Sequence, residues 1–382
     1  MKSTGATNHQ VMKKPKLTTE ILSGLTISIA LVPEAISFAL LVGAPPQVGL
    51  WAAFFMALST SLFGGRPGLI SGATGATAVV MAGLVAKAGL EALPLGVIVA
   101  GLIQLGVWVT PAWRLFQKIR PAAISGFLIA LSLMILMSQF RYLTIGSPDP
   151  KTLAITVLAI LACSAAMIWT SRLFSFPPAL TSIVLGTIIG VPLGFATVGD
   201  LSVVSAELPH FSMPALSLDL LLLVLPYSFG MAVSGLTESL LTVDSVSAKL
   251  GEMGDKRQET FAQGLGNTVS GLFGSMGGCV LVGQTNLNIG AGAKSRASSL
   301  IAAIGLALII LVFGGYIERL PLIGLIGVML VVVYETGDWA SLRNSNPLKL
   351  FIILLTAAVS ILTHNLAVGV IVGSIAAYIV KS

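Results

Sequence analysis

Residues 64–81 read GGRPGLISGATGATAVVM. On either side, 45–63 and 93–111 are apolar runs close to the ~20 residues needed to cross a bilayer. Between them the chain turns to glycines, hydroxyls, Pro67 and Arg66, and then resumes as a short apolar run over 74–87. A helix of about 14 residues at 1.5 Å per residue covers roughly 20 Å. The hydrocarbon is ~30 Å thick, so a helix starting near Thr74 begins inside the membrane. Irregular backbone is tolerated there only where it is buried in protein or lines a wet cavity. The first N–H groups of such a helix lack internal partners and sit at the positive end of its dipole, which suits an anion. Gly72 and Gly75 let backbone approach a ligand, and Ser71, Thr74 and Thr77 add hydroxyls. A small-xxx-small packing motif is the alternative.

Composition sets the environment. The chain has 382 residues, 55% hydrophobic and 9% charged, with a mean hydropathy of +0.96. Soluble domains carry roughly 25% charged residues, so this is a polytopic membrane protein. In that setting the net charge of +6 reports orientation rather than a nucleic-acid partner. Residues 1–19 lack an apolar signal region and read as a disordered cytoplasmic tail. Cys163 and Cys279 lie far apart in apolar surroundings and imply neither a disulfide nor a metal site. His9, His210 and His364 lack ligand spacing. The tryptophans cluster at segment ends, as interfacial belts do. With no Walker A motif, nucleophile elbow or metal cluster, neither an enzyme nor a bound cofactor is expected.

Apolar runs between charges, Pro and Gly give twelve long segments: 20–42, 45–63, 93–111, 121–140, 152–171, 178–195, 218–246, 258–277, 297–317, 320–335, 348–363 and 365–380. Two short ones, 74–87 and 283–293, bring the total to fourteen. With the N-terminus inside and all fourteen crossing, only Lys87, Arg141, Lys151 and Arg319 of the 21 Lys and Arg fall outside. Omitting either short piece alone spoils that bias, so the positive-inside rule counts both and puts both termini in the cytoplasm. The polar stretch 198–217 splits the chain into 20–197 and 218–382, seven segments each, with the short piece third in both. This order is that of an inverted repeat with two discontinuous helices. The expected fold is an all-α membrane protein of fourteen segments.

The second short piece, GSMGGCVLVGQTNLNIGAGAKSR (274–296), repeats the logic of the first. Gly277, Gly278 and Gly283 loosen the backbone, and Gln284, Thr285, Asn286 and Asn288 supply polar side chains. Two facing half-helix N-termini would make one anion site, drawn from Ser71, Thr74, Gly75 and Ala76 on one side and Gly283, Gln284, Thr285 and Asn286 on the other. Two acids lie deep in long apolar segments: Glu34 in IALVPEAISFALL and Glu238 in MAVSGLTESLLTV. A carboxylate at membrane depth is expensive and marks function. Pro33 is expected to break the first helix and free a carbonyl. Thr242 lies one turn after Glu238, on the same face. A carboxylate, a hydroxyl and free carbonyls suit a small hard cation such as Na+; alternatively Glu238 carries a proton.

With those residues in view, the chain resembles the sulfate permease (SulP, solute carrier 26) family over about 17–382. ALVPEAISFALLVGAPPQVGLWAAF resembles the family signature in the first helix, and FGGRPGLISGATGA the lead into the third. ESLLT resembles the eighth, and RQETFAQGLGNTVSGLFGSMGGC with NIGAGAKSRAS the ninth and tenth. The resemblance implies a UraA-like seven-plus-seven repeat. Segments 1–4 and 8–11 would form a mobile core, and 5–7 and 12–14 a gate that mediates elevator-like movement and homodimerisation. It places Glu34, Phe38 and Thr74 at the substrate, and Glu238 with Thr242 at the pair that holds sodium in bicarbonate relatives. It departs in two places. Gln284 stands where many members carry Arg, and Val282 where the bicarbonate transporters have a sodium-site threonine. The family's C-terminal STAS domain is absent from the sequence as given, which stops at Lys381–Ser382. The expected activity is H+- or Na+-coupled symport of sulfate, bicarbonate or a dicarboxylate across a bacterial cytoplasmic (inner) membrane. The alternative is an exchanger or an anion channel without cation coupling.

Overall fold

The computed structural model describes residues 16–143, 145, 149–173, 178–202, 207–214 and 216–380. The expected tail, up to residue 15, and Lys381–Ser382 lie outside the described residues. The chain forms α1 (Leu17–Val42), α2 (Pro46–Phe63), β1 (Ser71–Ala73), α3 (Gly75–Ala88), α4 (Leu93–Val109), α5 (Pro121–Leu143), α6 (Pro150–Leu173) and α7 (Pro178–Leu193). After the linker come α8 (Leu218–Leu250), α9 (Lys256–Leu272), β2 (Gly278–Val280), α10 (Val282–Gly290), α11 (Arg296–Ile317), α12 (Leu322–Thr336), α13 (Trp339–Asn344), α14 (Pro347–Thr363) and α15 (Leu366–Ile379).

A helix stands at each of the fourteen expected segments. Seven are long and apolar enough to cross a membrane on their own, while α3, α7, α12, α14 and α15 are apolar but shorter. Three details differ from expectation. First, α1 starts at Leu17 and runs unbroken through Pro33. Membrane helices tolerate proline where neighbouring helices bury the local backbone: the missing Pro33 N–H costs one bond, to the Ile29 carbonyl, and one lost bond does not break a helix buried on all sides around it. Second, α9 ends at Leu272 rather than 277, because the chain must straighten before β2. Third, a short helix, α13, and a 3-10 turn at Pro111–Lys118 fall where no segment was expected.

The packing forms two groups. In one, α1 packs on α2, α3 and α11, α2 on α9 and α11, and α4 on α8 and α9. In the other, α5 packs on α12, α14 and α15, and α12 on α6 and α7. They meet where α1 touches α7 and α12, α3 touches α5, and α8 touches α15.

The two half-helices are joined by a feature the sequence did not announce. Strands β1 and β2 pair antiparallel, Ser71 with Val280, Gly72 with Cys279 and Ala73 with Gly278. All six residues are buried. Unpaired backbone there would cost several kcal/mol per group, on the order given for hydrocarbon, so each broken helix satisfies the other's extended lead. The outer edges are met by side chains. Asn267 Oδ1 accepts from Gly278 N at 2.8 Å, and its Nδ2 donates to Gly278 O at 3.1 Å. Ser239 Oγ accepts from Val280 N at 3.1 Å. Gly278 is obligatory: a Cβ there would stand 1.9 Å from the Gly72 carbonyl oxygen.

Candidate functional site

The ribbon fixes where the half-helices begin. Thr74 follows β1 as the N-cap of α3, and Leu281 follows β2 as the N-cap of α10; neither makes a side-chain cap. The first intrahelical bonds are Ala78 N to Thr74 O and Thr285 N to Leu281 O, so the N–H groups of Gly75, Ala76 and Thr77, and of Val282, Gly283 and Gln284, point out of their helices unbonded by them. The strands are antiparallel, so these two positive ends lie at opposite ends of the ribbon, separated by about three residues of strand, roughly 10 Å.

The expected residues fall into three sets. Glu34, Phe38, Thr74, Gly75, Ala76, Gly283 and Gln284 come together around the two helix starts. Gln284 Nε2 donates to Glu34 Oε1 at 2.7 Å, both residues being buried, while Gln284 Oε1 has no hydrogen-bond partner among the described residues. Phe38 is 2% exposed and covers the start of α3. A Cβ at Gly75 would lie 3.2 Å from its ring and 2.6 Å from Ile135 Cδ1 of α5. Ile135 is apolar and mid-helix, and no sequence signal marks it. Gly283 is open, with nothing within 4 Å of where its Cβ would be.

A second set is bonded to other parts of the chain, Ser71 and Thr285 in the interior and Asn286 toward the surface. Ser71 Oγ accepts from Thr60 Oγ1 at 2.6 Å and Gln263 Nε2 at 3.0 Å. Thr285 Oγ1 accepts from Ile70 N at 3.0 Å. Asn286 Oδ1 accepts from Lys249 Nζ at 2.7 Å. A nine-residue helix is marginal alone, and contacts of this kind seat α10. Asn288 adds to them: its Oδ1 accepts from Ser23 Oγ at 2.6 Å, and its Nδ2 donates to Gly68 O at 2.9 Å.

The third set is the carboxylate on α8. Thr242 Oγ1 donates to the backbone carbonyl of Glu238 at 2.8 Å, not to its carboxylate. Glu238 Oε2 instead accepts from Cys279 Sγ of β2 at 3.1 Å. Cys279 Sγ in turn lies 2.9 Å from Thr74 Oγ1, which lies 3.1 Å from Thr77 Oγ1. The apolar surroundings expected for Cys279 are therefore corrected: its thiol stands between the Glu238 carboxylate and the Thr74 hydroxyl, with Ser239 also in reach. Ser234, one turn before Glu238, is buried with Oγ unpartnered among the described residues.

The arrangement is crossed. The acid of α1 bonds to α10, and the acid of α8 reaches the cap of α3. Among the described residues neither acid has a Lys or Arg ion-pair partner; the two ion pairs are Arg66–Glu252 and Lys256–Asp244. Nor do those residues hold a group of three or more His, Cys, Asp or Glu fit for a metal.

Comparison with known proteins agrees with this architecture. Residues 17–149 and 147–359 match the Sulfate permease family. The putative sulfate transporter YbaR of Bacillus subtilis is 36% identical over 363 residues, covering 93% of this chain and 74% of that protein. The bicarbonate transporter BicA of Synechocystis is 28% identical over 370 residues, covering 90% of this chain and 65% of that protein. Among solved structures, the transmembrane domain of a cyanobacterium bicarbonate transporter BicA superposes with a TM-score of 0.81 at 26% identity, covering 93% of this chain and 97% of that one. The murine Solute Carrier 26 family member A9 shares the fold, with a TM-score of 0.80 at 20% identity over 97% of this chain and 69% of that one. A polytopic helical membrane protein whose paired half-helices lie within a match spanning most of its length, this chain belongs to the sulfate permease family.

Proposed function

We propose that this protein is a secondary active anion transporter in which a cation on Glu238, a proton in preference to Na+, is taken up with the anion. One observation carries the reading: two carboxylates without basic partners stand beside two uncapped half-helix N-termini. Each N-terminus is equivalent to about +0.5 charge, so the pair supplies roughly +1 against −2 when both acids are ionised. An anion is held there only once an acid is neutralised. An Arg at position 284 would change that sum; Gln284 does not.

The donor set favours a proton. Na+ takes hard oxygen ligands, whereas Glu238 meets a thiol and the Thr242 hydroxyl is committed to backbone. The anion would lie between the starts of α3 and α10, against Phe38. The family relatives named as sulfate and bicarbonate transporters make those anions, with C4-dicarboxylates, the first to try. The group of α1–α4 and α8–α11 would carry the site past α5–α7, α12, α14 and α15 in an elevator-type movement, with a second copy of the chain steadying the latter group. The membrane would be a bacterial inner membrane, with both termini cytoplasmic.

The test is radiolabelled uptake of sulfate, bicarbonate and a C4-dicarboxylate into proteoliposomes under imposed H+ and Na+ gradients. Uptake of one anion, raised about tenfold by an inward H+ gradient, is expected. Flux indifferent to both gradients would overturn the coupling, and stimulation by Na+ alone would replace the proton.

A further inference from the structure

We infer that the Cys279 thiol is the positioning residue that transmits the occupancy of Glu238 to Thr74, and so to the anion end of α3. The inference rests on the coupled-transport reading above and adds to it the connecting atom.

The argument is one of hydrogen-bond direction. A thiol has one proton. Cys279 Sγ donates to Glu238 Oε2 at 3.1 Å, with a longer contact of 3.8 Å to the Val280 carbonyl. While that proton is committed to the carboxylate, the 2.9 Å contact between Thr74 Oγ1 and Cys279 Sγ can be a hydrogen bond only if Thr74 donates it. Thr74 then presents lone pairs to the start of α3, where an anion would sit. A proton on Glu238 Oε2 that is donated to Cys279 Sγ, or a metal cation seated on that oxygen, displaces the thiol proton from it. The Sγ–H turns to Thr74 Oγ1, and Thr74 O–H is released toward α3. Thr77 does not block this release, because its own hydroxyl has carbonyl acceptors at Thr74 (3.1 Å) and Gly277 (3.4 Å). One cation thus converts Thr74 from acceptor to donor about two side chains away, with no backbone movement.

Cys279 and Thr74 are both fully buried, while Glu238 is half-buried and forms the accessible end of the route. One other hydroxyl, Ser239 on α8, reaches Cys279, but its Oγ is already engaged as acceptor by Val280 N at 3.1 Å. The titratable groups that reach Glu238 from other elements are Cys279 on β2 and Glu34 on α1. The helices α3, α4 and α15, also packed on α8, present Thr77 and Gln104 at Gly235 and Asn365 at Gly230, and α9 and α10 meet α8 further along, Lys256 at Asp244 and Asn286 at Lys249.

Coupling of this kind is measured as linkage: the ratio of anion Kd without and with the cation. Labelled sulfate and bicarbonate would be titrated onto purified full-chain protein at low and high H+, and at low and high Na+. Thermal unfolding of each variant would be recorded alongside. The wild-type ratio is expected to be about tenfold, within the usual 5–150-fold range. Cys279→Ala should bring it near 1 whatever the absolute affinity, and Cys279→Ser, which keeps one donor and one acceptor, should retain most of it. Thr74→Val should also abolish it, and the double variant should lose no more than either single one, as for residues in one chain. A wild-type ratio of 1 for both cations would defeat the coupled-transport reading itself. A wild-type ratio near ten that survives Cys279→Ala would overturn the role of Cys279 alone. So would a Cys279→Ser variant that folds like wild type yet loses the ratio, since sulfur packing rather than its proton would then be responsible.

Discussion

The half-helices α3 and α10 look equivalent in the sequence, but they differ in the folded protein. The start of α3 is closed: Gly75 lies against Phe38 and Ile135, Ala76 is buried, and its cap Thr74 is tied through a thiol to Glu238. The start of α10 is open, with Val282 38% exposed and Gly283 facing empty space. Its nearest acid, Glu34, is bonded to Gln284 directly. Two positive helix ends therefore stand in different surroundings. The closed end is the one whose cap is linked by hydrogen bonds to a buried thiol and a carboxylate. The open end offers backbone N–H groups without a gate residue against them. Element order cannot show this difference, because it arises from which side chains distant parts of the chain deliver to each helix start.

Several variants would break or sharpen that contrast. The largest effect is expected at Gly278, on which both half-helices depend. In Gly278→Ala a methyl would meet the Gly72 carbonyl oxygen, which is backbone and cannot swing away, so the cost should reach or exceed the ~1–3 kcal/mol of overpacking. Loss of a monodisperse peak in detergent and a lowered Tm are the readouts; an unchanged Tm would mean that the ribbon is dispensable. Next is Glu238→Gln, which keeps a similar shape without the charge. Gradient-driven uptake should fall at least about tenfold, equivalent to ~1.4 kcal/mol, while Tm holds; wild-type uptake would remove Glu238 from coupling.

At the closed end, Gly75→Val forces Ile135 and Phe38 apart and covers the first N–H groups. Half-saturation should rise about tenfold, since a hydrogen bond to a charged group is worth ~1.5–3 kcal/mol. Unchanged anion affinity would take the site away from α3. Gln284→Ala removes the hydrogen bond to Glu34 and should shift half-saturation about tenfold, since a bond to a charged group is worth ~1.5–3 kcal/mol; no shift would assign Gln284 to packing. The smallest effect is expected at the open end. Gly283→Ala adds a methyl where nothing stands, so half-saturation should move less than about twofold, within the ±0.5 kcal/mol of an uncrowded surface change. A tenfold loss there, with Gly75→Val silent, would exchange the roles of the two ends.

Most of the helical fold was legible because each crossing is a local property. A run such as 297–317 needs only length and apolarity to be a span, and the glycine-rich breaks marked off the two short helices α3 and α10. The site was legible in part. Glu34, Thr74, Gly75, Gln284 and Glu238 stand out as polar or small residues where hydrocarbon requires apolar ones, and the structure gathers them at the ribbon. Ser71 and Thr285 were chosen by the same rule, yet their hydroxyls serve Gln263 and Ile70. Polarity at depth says that a partner is needed, not which partner. Cys279 and Ile135 carried no signal, because a cysteine or an isoleucine in an apolar run is unremarkable until its neighbours are known.

The sequence by itself thus determined how many times the chain interrupts its hydrocarbon, where it does so, and that each interruption needs a partner for its backbone. Only the tertiary structure decided that the two interruptions partner each other, across some 200 residues, in a three-residue ribbon. It also decided that Glu34 on α1 bonds to α10 and that Glu238 on α8 reaches the cap of α3 through Cys279. The physical reason is range: hydrophobic length and helix propensity act along the chain, whereas a hydrogen bond is made over about 3 Å in space.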